Sequence, residues 1–273
     1  MNCFETAADA IVSGDIASLR ELLREDPGLA RARSSRPHAA ALLIYTAANG
    51  VEDERQKTPP NVVEIARLLL DSGADVNATC HAYGTECTAL DLAATSIHPL
   101  KAGVQSELLQ LLLDRGASLE NPNLIPACLA NFRPQAAVFL ASKGAKVNLI
   151  AAAGLGDLAK TRELFGSATP EQKQYALMWS CEYGRNDVVE FLLASGGDLG
   201  SHTRDGQTPL HWAIIGGQPA TVELLLRHRP PLERQNAYRA TPAGQAKWSL
   251  EHVDGDPEPF RRIIEMLAAA GAK

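Results

Sequence analysis

The sequence predicts an all-α fold: one domain over residues 1–273 in which helix pairs follow one another and stack side by side into a solenoid. Three observations carry this. An apolar helix end followed by glycine recurs along the chain, and a threonine-led helix opening recurs upstream of it. The composition, 45% apolar and 21% charged, is that of an ordinary folded chain and not of a disordered one. A chain of 273 residues is long for one globule but not for a repeat array, where each unit packs only on its neighbours.

The helix ends are the clearest landmark. Leu68-Leu69-Leu70-Asp71-Ser72-Gly73-Ala74 is followed by Leu111-Leu112-Leu113-Asp114-Arg115-Gly116-Ala117, then by Phe139-Leu140-Ala141-Ser142-Lys143-Gly144-Ala145 and Phe191-Leu192-Leu193-Ala194-Ser195-Gly196-Gly197. Leu224-Leu225-Leu226 and Met266-Leu267-Ala268-Ala269-Ala270-Gly271-Ala272 continue the series. Glycine suits the left-handed stop after a helix. The openings are Thr208-Pro209-Leu210-His211-Trp212-Ala213, Thr88-Ala89-Leu90-Asp91-Leu92-Ala93-Ala94 and Thr241-Pro242-Ala243-Gly244-Gln245-Ala246. Threonine caps a helix start and proline fits its first turn.

A threonine-led T-P-L-H-x-A followed by a leucine run and Gly73-Ala74-Asp75-Val76-Asn77-Ala78 resembles the ankyrin repeat, two antiparallel helices and a turn in about 33 residues. The resemblance covers nearly the whole chain, with several copies agreeing in order and spacing. It implies about eight helix-turn-helix units joined by short β-turn fingers, first helices lining a concave surface, and a protein partner. It also implies a structural role for His211, bonding between neighbouring turns.

The turns inside the pairs are expected near Gly14, Gly50, Thr95, Phe132, Gly156, Gly184, Gly217 and Trp248. The unit around Ser13-Gly14-Asp15 reads as an N-terminal cap and the one ending at Lys273 as its counterpart, since end units must shield the apolar faces of a stack. Enlarged inter-helix loops are expected at 51–60, 97–104 and 250–260. The first two fall at equivalent positions of neighbouring units, and insertions in repeat proteins map to loops on one face. From Gly116 to Gly144 the spacing shrinks to 28 residues, and almost no finger fits between Val147 and Ala151.

Two sites compete for the function. The first is a protein-binding surface made by first helices and fingers late in the chain: Trp179, Glu182, Tyr183, His202, Arg204, Trp212, Arg234, Tyr238, Arg239 and Trp248. Trp, Tyr and Arg are the residue types enriched where binding energy concentrates. The stretch 200–250 holds six Lys/Arg against three Asp/Glu in a chain of net charge −6. An acidic or extended peptide segment is the expected ligand. The bland alternative is that the tryptophans fill the core. The second site is a pocket between loops 51–60 and 97–104, with Glu52, Asp53, Glu54, Arg55 and His98 doing acid–base chemistry or holding a small molecule. A solvated charge run explains the same residues. The first reading, a non-catalytic scaffold without cofactor, is preferred, because arrays of this kind rarely catalyse alone.

Other constellations carry less. Cys80, His81 and Cys87 fall in one finger but lack paired short spacings, so no metal site is expected. Five scattered cysteines read as free thiols in a reducing compartment. Gly154-Leu155-Gly156 lacks the preceding strand of a dinucleotide site and is a turn. The acidic balance disfavours nucleic acid. No apolar run is long enough to span a bilayer, there is no basic amphipathic tail, and the first residues do not read as a secretory leader. A cytoplasmic protein is expected.

Overall fold

The computed structural model describes residues 3–47 and 52–272. Met1, Asn2, residues 48–51 and Lys273 lie outside it, and with them the expected turn at Gly50 and the start of the 51–60 insertion. The chain forms two compact units, one ending at Lys146 and one starting at Val147.

The first unit contains four pairs among the described residues: α1 (Cys3–Ser13) with α2 (Ile16–Glu25), a 3-10 helix (Leu42–Ala47) with α3 (Val62–Asp71), α4 (Ala89–Thr95) with α6 (Gln105–Asp114), and α7 (Leu124–Ala130) with α8 (Pro134–Ser142). The first helices pack on one another in chain order, and so do the second helices. Between the rows lies an aliphatic seam of Ile11, Leu19, Leu42, Ile44, Ile65, Leu69, Leu90, Leu108, Leu112 and Leu124, all essentially inaccessible. Burying one such side chain contributes about 1.5–3 kcal/mol, which is why a helix of only seven residues such as α4 persists. Thr88 caps α4 by accepting from the Asp91 amide while the Asp91 carboxylate takes the Thr88 amide. One finger is a true hairpin, β1 (Thr79–Ala82) paired antiparallel with β2 (Thr85–Thr88).

The second unit repeats the plan with α9 (Leu149–Leu155) and α10 (Leu158–Phe165), α11 (Pro170–Glu182) and α12 (Asn186–Ala194), α13 (Pro209–Ile215) and α14 (Pro219–Arg227), α15 (Pro242–His252) and α16 (Glu258–Ala269). Each first helix starts on a side-chain cap, from Asn148, Thr169, Thr208 and Thr241 in turn. The core runs through Leu177, Val188, Val189, Leu210, Ile214, Val222, Leu225 and Ile263. Gly216 is required where α13 meets α11: a Cβ there would overlap the carbonyl oxygen of Glu182.

Two expected loops are different in kind. The 97–104 segment contains a short helix, α5 (Ile97–Lys101), started by Ser96, whose hydroxyl accepts from the His98 amide. Buried Gln105 then donates Nε2–H to the carbonyls of Ala93, Ala94 and Ser96, satisfying the open end of α4 and tying the insertion down. The turn expected at Trp248 is instead at 253–257, because α15 continues to His252. The repeat spacing alone placed it too early; after Gly244 in its first turn the helix meets no further Gly or Pro until Gly255 and Pro257.

Candidate functional site

The first helices of the second unit carry a row of side chains at steps of 33 residues: Glu182, Ile215 and Trp248, with Trp179 and Trp212 one helical turn earlier on α11 and α13. Exposure rises along this row. Trp179 and Glu182 are 9% and 7% exposed, Trp212 is half-buried against the core, and Trp248 is 57% exposed. Trp179 and Trp212 therefore act largely as core filler, whereas Trp248 stands out and stacks on His252 with ring centroids 4.4 Å apart. The indole Nε1 of Trp212 is buried without a hydrogen-bond partner. Tyr183 ends α11 in a half-buried position.

The fingers beside these helices are open and regular. The first folds back through Thr203 N–H to Gln207 O and Gly206 N–H to Thr203 O. The second closes through Asn236 N–H to Ala240 O, and Asn236 Oδ1 also accepts from the Tyr238 and Ala240 amides. Ala237 N–H donates to Asp205 O, so the two fingers lie edge to edge. His202 and Arg204 on the first finger, and Arg234, Tyr238 and Arg239 on the second, are all exposed. The scaffold beneath is locked by His211. Its Nδ1 accepts from the Thr208 amide, which leaves the proton on Nε2 to bond Ala240 O at 3.2 Å. Burial lowers its pKa below the usual imidazole value and favours this neutral form.

Glu182 is the electrostatic anomaly of this unit. Burial alone lifts its carboxyl to about 7. Sequence periodicity could not reveal this, since the position reads as an inner-face site.

The competing site in the first unit has a different character. Glu52 is buried, and its Oε1 faces the Tyr45 hydroxyl at 2.6 Å and His38 Nε2 at 2.9 Å. Its Oε2 takes Arg36 at 2.7 Å and Arg55 at 2.8 Å. Tyr45 and Arg55 donate hydrogen bonds to this carboxylate, while Arg36 and His38 stand within ion-pair distance, so donors and cations surround Glu52. Arg55, itself buried, also reaches Glu5 at 2.7 Å and Asp9 at 2.7 Å, and its guanidinium lies over the Tyr45 ring. Burial pushes the Glu5 carboxyl up, but Arg55 and Arg36 outweigh it and hold it below its ordinary value. Asp53 and Glu54 are exposed, with Glu54 3.4 Å from Arg36. The partners of Glu52 and Arg55 come from α1 and residues 36–45, not from His98, which is half-buried on α5. Glu5, Asp9, Arg36, His38 and Tyr45 are members of this cluster that the sequence did not flag. Glu5 and Asp9 lie 50 and 46 residues from Arg55, and no local pattern announces any of the five. Among the described residues no three His, Cys, Asp or Glu side chains gather as metal ligands, and no helix is long and apolar enough to cross a membrane.

Comparison with known proteins agrees with this architecture. Residues 149–236 match a family model described as ankyrin repeats in three copies. Inversin of Canis lupus familiaris is 30% identical over 177 residues, covering 63% of this chain and 14% of that protein. Inversin-A of Xenopus laevis is 38% identical over 66 residues, 23% of this chain and 7% of that protein. The chain thus spans a small part of the length of these relatives. With paired helices, capped threonine openings, glycine stops and fingers all in place, the fold is of the ankyrin-type helical repeat kind, and residues 149–236 match ankyrin repeats directly.

Proposed function

We propose that this chain is a protein-binding scaffold whose second unit holds an extended acidic segment of a partner along its fingers and first helices. Ankyrin repeats are protein-interaction modules in general. The choice of surface rests on one observation: Arg204, Arg234, Tyr238 and Arg239 are exposed on fingers that a backbone hydrogen bond aligns, and Trp248 is exposed on the helix that follows. Arginine fits carboxylates through its planar fork, and exposed Tyr and Trp supply large contact area at low entropy cost. The site is rigid beneath, which favours selection of a peptide over adaptation to it.

The test compares the unsubstituted chain with Arg204→Glu/Arg239→Glu and with Trp248→Ala. The ligands are synthetic extended peptides with regularly spaced Asp or Glu, beside a lysine-substituted set. Binding by the acidic set, weakened at least tenfold by charge reversal and by added salt, is the expected result. Equal binding of both peptide sets, or affinity indifferent to the arginine changes, overturns the assignment. Trp212 is unsuited to this test, because its packing against the core mixes stability with affinity.

A further inference from the structure

The cysteines of the first unit's hairpin finger are left unexplained by peptide binding. Cys80 and Cys87 face each other directly across β1 and β2, with the register Cys80↔Cys87 flanked by Thr79↔Thr88 and His81↔Glu86. Opposite residues on a strand pair project to the same face. The His81 amide donates away from the hairpin, to His38 O at 2.9 Å, so the pairs on either side of His81 are the ones that bond across. Cys80 and Cys87 therefore form a hydrogen-bonded pair, with an expected Cα separation of about 5.5 Å. That lies inside the Cα span of about 4.4–6.8 Å of a disulfide, whereas the Cβ atoms of such a pair stand about 5.5 Å apart, so the two strands must draw together for the bond to form. Both thiols are free in this structure.

Both cysteines are buried, Cys80 at 1% and Cys87 at 8% exposed, but Cys87 also lines a cavity of about 450 Å³ together with Tyr83, Thr88, Asp91, Asn121 and Asn131. The cavity has two carboxylates in its wall, Glu86 and Asp91, and no Lys or Arg. Its size falls within the range of about 300–1,000 Å³ typical of small-molecule sites.

We propose that Cys80 and Cys87 form a redox-closable dithiol that reacts with a small cationic aliphatic disulfide entering through this cavity. Cys87 is the entry sulfur and Cys80 the resolving one. In the first step the Cys87 thiolate attacks one sulfur of the small disulfide. A mixed disulfide forms, the small S–S bond breaks, and one small thiolate leaves with the proton Cys87 gave up. In the second step the Cys80 thiolate attacks the Cys87 sulfur. The Cys80–Cys87 bond forms, the mixed disulfide breaks, and the second small thiol departs with the Cys80 proton. Two electrons pass from the protein sulfurs to the small disulfide, which is reduced to two thiols. The closed hairpin then fixes the wall that Tyr83, Glu86 and Thr88 give to the cavity.

The surroundings set the pH dependence of this step. Burial, then the neighbouring Cys87 and Glu86, push the Cys80 thiol up to about 12, against a lowering effect from Arg33. Burial, then Asp91 and Glu86, push the Cys87 thiol up as well. The Cys87 Sγ–H lies 3.7 Å from Ala82 O, as a protonated thiol would. The attacking species is the thiolate, so closure is slow at neutral pH and accelerates as pH rises. The carboxylates that raise these thiols also favour a cationic reagent over an anionic one.

The reduced full chain is treated with cystamine, and in parallel with glutathione disulfide, at pH 7 and pH 9, and its cysteines are mapped by mass spectrometry after alkylation. The expected result is a Cys80–Cys87 disulfide that forms at least tenfold faster with cystamine, and at least tenfold faster at pH 9. Cys80→Ser should stop at a mixed disulfide on Cys87. A chain that accumulates adducts only at exposed Cys3, or equal rates with both reagents, overturns the proposal. Because a buried serine can disturb folding, a second measurement uses the unsubstituted chain and phenylarsine oxide. This reagent bridges two adjacent thiols with loss of water and no redox change. Bridging of Cys80 and Cys87 in the folded chain supports the dithiol, and its absence overturns it.

Discussion

In the first unit the Glu52 side chain is 3% exposed and four partners surround its carboxylate. In the second, Glu182 is 7% exposed and burial alone governs its carboxyl. The contrast shows two uses of a buried acid in one repeat framework. The first unit carries an enlarged turn after its 3-10 helix, and a mesh of arginines and carboxylates fastens residues 52–55 to α1. The second keeps regular pairs and leaves one acid on the inner row beside the surface proposed for binding.

The difference gives the two units opposite responses to pH. Glu5 has a folded pKa below its unfolded value, so its contribution is present above about 4.5 and is lost as pH falls through the folded value. Glu182 has a folded pKa raised to about 7, so the folded second unit is relatively most stable below the unfolded value near 4.5 and loses stability as pH rises toward 7. Hydrogen exchange resolved by peptide, measured between pH 4 and pH 8, should show α1 loosening at the acid end and α11 at the neutral end. Parallel behaviour of both units would remove the distinction.

The largest expected effect comes from breaking the mesh. Arg55→Ala removes a guanidinium that bridges Glu5, Asp9 and Glu52, and leaves carboxylates buried with less compensation. Loss of one partner from a buried ion network costs about 3–5 kcal/mol. Urea unfolding followed by exchange in α1 and the 3-10 helix measures it, and a cost under about 1 kcal/mol would reduce the cluster to surface decoration. Next is the opposite manipulation, Glu182→Gln, which removes a charge the fold does not accommodate. It should stabilise the chain at pH 8 by up to about 3 kcal/mol, with the gain vanishing at pH 4. A gain independent of pH would mean that charge is not the cause.

Gly216→Ala is a steric test of the second unit alone. The added methyl meets the Glu182 carbonyl, which is backbone and cannot swing aside. Overpacking of this kind costs about 1–3 kcal/mol, and the melting temperature of the variant reports it. An unchanged melting temperature would mean that α11 and α13 can part without cost.

The pairing of helices was legible because its signals are local. Leucine runs, glycine stops and threonine caps each lie within a few residues, and they identified the turns at Gly14, Gly156, Gly184 and Gly217. The end of α15 was not legible by counting, since repeat length is a weak constraint beside the absence of a helix breaker between Gly244 and Gly255. The charged run 52–55 was visible as a candidate site, but its pairing was not. Its partners Glu5 and Asp9 are 50 and 46 residues away from Arg55, and only the packing of α1 brings them in. For the aromatic row, spacing placed Trp179, Trp212 and Trp248 in first helices correctly. Exposure separates them, because Trp179 lies on a middle helix, between α9 and α13, and Trp248 on α15 at the end of the row.

The smallest expected effect concerns a turn where the two units differ by one residue. In the second unit the left-handed position inside three pairs is glycine, at Gly156, Gly184 and Gly217. In the first unit the α7–α8 turn places Phe132 there, with φ +56° and 52% of its surface exposed. A side chain in the left-handed region costs roughly 1–2 kcal/mol, while glycine gives back about 0.5–1 kcal/mol through its freer unfolded chain. Little packing is lost, because the ring is exposed and the turn is held by backbone bonds, Phe132 N–H to Leu129 O and Arg133 N–H to Cys128 O. Phe132→Gly should therefore stabilise the first unit by about 0.5 kcal/mol, read as a small rise in the urea midpoint with unchanged slope. A fall in the midpoint would mean that the exposed ring contributes more by contact than its backbone strain costs.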